Sequence, residues 1–230
     1  MNSEIVEQFT NLLWTGIIAL FIWWYYRDRA VPLSQKYSTF APRFWTGFID
    51  SSVLWPIGFV SVVILSFEVP RYLAALVIVA QSGIWLCYSA QMHARYGQTV
   101  GKMATKVRVV DFRTEGSISL WQAWLREGIP LIVSLGLLAY EIVGIMSGEI
   151  EPKAIMNGQA FENIKASWLL MALPGFWFLA ELLTMLTNDK RRAIHDFIAG
   201  TVVVRINTVM ESAQQSAPGD IGTDAQPPLS

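Results

Sequence analysis

One cysteine and two histidines stand in 230 residues, and charged side chains make up only 15%. Cys87 alone excludes an intramolecular disulfide and a cysteine-based zinc site. It sits mid-way along an apolar segment and reads as a small buried residue. His93 and His195 each lack a second ligand at helical spacing, so both are expected at a membrane interface and no metal is expected. A soluble domain carries about 25% charge. The shortfall, beside 53% hydrophobic residues, excludes an ordinary soluble domain. The net charge of −1 argues against nucleic acid as a partner of the whole chain. No Ser/His/Asp set with a nucleophile turn is present, and Gly97–Lys102 lacks the Walker spacing. The chain is therefore expected not to be an enzyme and to need no cofactor. A cleaved signal is also not expected. Glu4 and Glu7 stand where a signal has Lys or Arg, and the first apolar run ends in Trp23-Trp24-Tyr25-Tyr26.

What the chain has is apolar length. A membrane helix needs roughly 20 apolar residues. Gln8–Tyr26 and Tyr72–Met92 carry no acid or base beyond their ends. Phe44–Phe67, Gly128–Ser147 and Ala166–Thr187 are equally long but carry Asp50, Glu141 and Glu181. The expected fold is an all-α membrane protein, a bundle of about five transmembrane helices in contact with the lipid bilayer. Fourteen of the 17 Lys and Arg fall in 27–43, 95–126 and 188–230. Only Arg71, Lys153 and Lys165 lie on the other side. The positive-inside rule then puts the N-terminus outside and the C-terminus in the cytoplasm. Val107–Asp111 alternates and is β-branched, a turn follows at 113–116, and Ser117–Leu120 continues it. Thr201–Arg205 is a matching run. Together they predict a small cytoplasmic β element. From about Asn207 the composition shifts to Ser, Gln, Pro, Gly and Asp, which predicts disorder.

Three stretches stand out in order: Ala41–Asp50 (APRFWTGFID), Gly97–Lys102 leading into Arg108–Asp111, and Asn188–Asp196 (NDKRRAIHD) followed by Ile198–Thr201. Their order and spacing resemble the RDD family of bacterial membrane proteins, over about 41–206. The arginine and two aspartates that name the family would be Arg43, Asp50 and Asp196. Residues 1–40 then form an extra helix and a basic inner loop, 41–206 the family domain, and 207–230 the tail. The extra helix makes five spans where a shorter core would have four. The resemblance implies a bacterial inner membrane location. Some members are sodium/proton antiporters, so it also implies monovalent cation and proton as candidate partners.

The polar residues suggest how that chemistry would be arranged. Arg43 and Asp50 are seven positions apart, so they share a helix face, with Asp50 about 10 Å deeper. Ser51 and Ser52 follow, and Pro56 frees the carbonyl of Ser52. These oxygens suit a hard cation. Glu181 falls about 9 Å from the inner end of its helix, at a depth similar to Asp50, and Glu141 about 9 Å from the outer end. Gln81 and Ser82 lie between. If Asp50 and Glu181 face each other, they would share a proton or a cation, with Arg43 tuning Asp50. Five helices enclose little, so this reading carries a homo-oligomer with it. The alternative is an accessory or scaffold subunit of another membrane complex, with Arg43–Asp50 an architectural clamp. Asp196, beside Lys190–Arg192, suits a helix cap or a salt bridge. Glu127 beside Arg126 suits an ion pair, and Lys102 a lipid-headgroup contact.

Overall fold

The computed structural model describes residues 3–152, 154 and 168–209. Five long helices occupy the five stretches expected of the sequence. They are α1 (Ser3–Arg27), α2 (Phe40–Ser66), α3 (Arg71–Tyr96), α5 (Leu120–Ser147) and α6 (Trp168–Thr187). Among the described residues, α2, α3 and α5 meet the length and mean hydropathy of a membrane span, at 1.9, 1.7 and 2.1. Two short helices, α4 (Val100–Ala104) and α7 (Ile194–Ala199), lie at the basic side of the bundle. The molecule is an all-α membrane protein with small strand elements.

Local chemistry sets the element ends. Gly97 closes α3 with φ +66, the left-handed cap that a residue without Cβ adopts at least cost. Ser119 opens α5 through a capping box with Gln122. Ser117–Leu120 is therefore a helix start and not the expected strand: the cap satisfies backbone donors that a strand would leave to a partner. Pro56, Pro130 and Pro174 all sit inside helices that continue past them.

The β element pairs β2 (Val107–Asp111) antiparallel with β3 (Thr201–Arg205), with Val109 opposite Val203. Alternation buries both faces. Val107, Val109 and Val203 pack on Ile118 and Ala123, while Val110, Val202 and Val204 pack on Tyr37 and Phe112. A second pair joins β1 (Val31–Pro32) and β4 (Thr208–Val209) in parallel. Thr208 and Val209 thus belong to a strand, although composition assigned them to the tail: main-chain pairing is blind to composition. The rest of the expected disordered tail, 210–230, lies outside the described residues, as do Lys153 and Lys165.

The helices are knit at two levels. Leu65, Ala74, Ile78 and Ile145 join α2, α3 and α5 at one end. Ile22, Tyr26 and Ile49 join α1 to α2 at the basic end. Between those levels the large apolar side chains face outward, Trp14, Phe21, Trp24, Ile132 and Phe176 among them, as a lipid-facing surface requires. Cys87 is on that exposed surface of α3, not buried as expected.

Candidate functional site

The buried polar groups concentrate where α2, α5, α6 and α7 converge. Asp196, in the first turn of α7, is completely buried. Its Oδ2 accepts from Arg43 Nη1 at 2.6 Å and from the backbone N–H of Ala193 at 3.0 Å. Its Oδ1 takes the Arg126 guanidinium and the Thr201 hydroxyl, the latter at 3.2 Å. One carboxylate therefore caps its own helix and joins α2, α5 and β3. Burial alone would raise the Asp196 carboxyl, but Arg126, Arg43 and His195 outweigh it and hold it well below the usual carboxylate range. Arg192 completes the knot by donating to the main-chain oxygens of Thr201 and Asp196, each at 2.9 Å.

Arg43 has further partners here. It donates to the Arg191 carbonyl at 3.2 Å and lies 3.2 Å from His195 Nε2. A guanidinium only donates, so Nε2 accepts and the neutral ring carries its proton on Nδ1. That nitrogen sits 2.9 Å from Glu181 Oε2, close but off hydrogen-bond alignment. The His195 backbone N–H donates to Glu181 Oε1 at 3.2 Å. Burial first, then Arg126, pushes the His195 imidazole down, which keeps it neutral.

Asp50 belongs to a different knot. Its carboxylate accepts from Thr99 Oγ1 at 2.6 Å, the Gly101 N–H at 2.7 Å and Tyr88 OH at 3.0 Å. Tyr88 OH in turn accepts from the Val100 N–H at 3.0 Å. Asp50 is thus an anchor for the start of α4. The approach is close: a Cβ on Gly101 would strike the Thr46 carbonyl oxygen and come within 3.0 Å of the Asp50 carboxylate. Thr46 bonds Thr105 at 2.9 Å on the same seam.

Several sequence expectations change here. Arg43 and Asp50 share a helix but not a bond: the arginine turns to α7 and the aspartate to α4, so the expected clamp is replaced by two long-range ones. Asp50 and Glu181 have no partner in common. Ser51 and Ser52 donate to the carbonyls of Gly47 and Phe48, each at 2.9 Å, as hydroxyls back-bonded along their own helix do. Neither hydroxyl contributes to a site with Asp50. His93 is enclosed by protein, 1% exposed and 3.0 Å from Glu127. Arg126 lies 3.8 Å from Glu127 but is spent chiefly on Asp196. Arg126 is the residue missed as a partner of Asp196; its only signal was a lone arginine entering an apolar helix. Lys102 is buried rather than at a headgroup. No group of three or more metal-ligating side chains occurs among the described residues.

Glu141, Gln81 and Ser82 do come together. They line an elongated slot of about 730 Å³ between α2, α3 and α5, with Ser51, Trp55 and Glu127. Neither Asp50 nor Glu181 lines it.

No curated protein and no solved structure matches the chain. The RDD family model matches residues 37–200, more than half of the chain, and spans all three motif residues. The chain is therefore a member of the RDD family of membrane proteins.

Proposed function

We propose that this protein is a non-catalytic accessory or scaffold subunit of another membrane complex, and that its motif residues build a rigid platform on the basic side. The observation that carries the reading is the state of Asp50. Its carboxylate accepts a backbone N–H and two hydroxyls that hold α4 in place. A carboxylate that must release these donors to take a cation would loosen α4 on every cycle. Asp196 is likewise enclosed by two arginines. The alternative, exchange of a monovalent cation for a proton at Asp50, would need Glu181 or a hydrated opening beside it, and Glu181 is turned to His195.

The platform offers a surface for a partner. A groove of about 590 Å³ beside β2 is lined by Arg95, Gln98, Arg108 and Glu115. Arg95 and Arg108 are exposed there and Arg113 is exposed on the turn after β2, and such a basic face suits a partner that presents acids. By the positive-inside rule this face lies in the cytoplasm of a bacterial inner membrane. The test is chemical cross-linking in native membranes with a photoreactive group placed at Ser117, on the rim of the same groove. The reading expects one partner band of fixed mass, lost when Arg108→Glu and Arg113→Glu are combined. Cross-links to lipid and to copies of this chain alone would overturn it.

A further inference from the structure

The slot between α2, α3 and α5 has no part in either knot. Its size falls in the range of small-molecule sites, about 300–1,000 Å³. Glu127 and Glu141 mark its two ends; fourteen positions on one helix separate them by about 21 Å. The charged side chains that line it are these two glutamates, with no Lys, Arg or His. Glu127 is already matched, with His93 at 3.0 Å and Arg126 at 3.8 Å. Glu141 is half-buried in its span and makes no hydrogen bond or ion pair among the described residues. An acid held within the hydrocarbon costs a few kcal/mol and calls for a partner.

The rest of the wall decides what partner. Trp55 and Phe59 stack with centroids 5.0 Å apart, and Trp85 faces the same space from α3. Leu54, Ile57, Val62 and Leu131 are among the apolar side chains of the remaining lining, and Gln81 and Ser82 add polar groups from α3. Ser134 already donates to the Pro130 carbonyl at 3.1 Å. Ser51 is likewise bonded to its own helix. That leaves Gln81 and Ser82 beside the glutamates, few ligands to replace the hydration shell of a small inorganic ion, which takes about six or more oxygens. Such a wall does suit a weakly hydrated cation with an apolar body, through ring faces and one carboxylate. An anionic amphiphile would meet carboxylates of its own sign.

We infer that the slot binds a lipophilic monovalent cation, an organic amine or quaternary ammonium, with Glu141 as counter-ion and Trp55, Phe59 and Trp85 against its apolar body. The ligand enters sideways from the bilayer, where such cations concentrate.

The test uses the full chain in phosphatidylcholine nanodiscs, with tetraphenylphosphonium as probe in equilibrium dialysis. Saturable binding of one cation per chain is expected, and no saturable binding of tetraphenylborate. Glu141→Gln should weaken affinity at least tenfold, and Glu149→Gln, just beyond the same helix, should leave it unchanged. If Glu141→Gln does not fold, Trp85→Leu serves in its place and should also weaken binding. Uptake that matches empty nanodiscs, or equal affinity in wild type and a folded Glu141→Gln, overturns the inference.

Discussion

Arg43 and Asp196 meet at 2.6 Å across 153 positions of sequence, inside the protein and out of reach of water. The pair ties the first turn of α2 to the segment after α6, and Arg126 closes it from α5. Removing the carboxylate takes the ion-pair partner from Arg43 and leaves Arg126 with Glu127 at 3.8 Å. Asp196→Ala is expected to cost about 3–5 kcal/mol, read as a large fall in melting temperature in detergent. Arg43→Met should cost less, because Arg126 still neutralises Asp196.

The Asp50 knot predicts a different pattern. Asp50→Asn keeps the shape but turns one acceptor into a donor against Thr99 or Gly101. The loss should be about 1–3 kcal/mol, the cost of an unmet buried group. Gly101→Ala should be at least as damaging although it removes no bond, since its Cβ has no room. Limited proteolysis within 97–106 should speed up in both variants. Unchanged cleavage would show that Asp50 does not hold α4.

Lys102 gives a prediction with a pH sign. Burial first, then the neighbouring Arg126, pushes its amine from 10.5 down to about 8. Folding therefore favours the neutral amine. No penalty exists above pH 10.5; it grows as pH falls, and is complete below about 8. At pH 7 the difference amounts to about 3 kcal/mol. Lys102→Met should thus be stabilising at pH 7 by up to that amount, and the gain should shrink as pH rises above 8. Thermal melts at pH 7 and pH 9.5 check both statements.

Much of the architecture was legible because apolar length and basic loops are strong one-dimensional signals. The valine runs of β2 and β3 were legible for the same reason: alternation shows in the sequence itself. The site was less so. Arg43 and Asp50 share a helix face, and spacing carries no mark of which partner each prefers across the bundle. Asp196 suits a helix cap or a salt bridge by sequence and is both, but its bonds to Arg43 and Arg126 span 153 and 70 positions, which spacing does not show. Likewise Thr99 and Gly101 stand in a stretch whose spacing says only that it is not a phosphate loop, and the fold brings them onto Asp50. Glu141 was recognised as an acid out of place, and its slot depends on how three helices splay.

Orientation is open to direct labelling. In a Cys87→Ser background, Glu115→Cys should resist a membrane-impermeant maleimide in intact cells and react after permeabilisation. Glu149→Cys should react in intact cells. The reverse pattern would place the basic face outside.

The most direct test of the central claim is flux. Wild type and Asp50→Asn are reconstituted at matched density in proteoliposomes loaded with a pH-sensitive dye, and sodium or potassium is pulsed. The account predicts no cation-driven proton movement in either, with wild type folded and its melting temperature intact. Proton movement in wild type that disappears in a folded Asp50→Asn would contradict it and make Asp50 an exchange site.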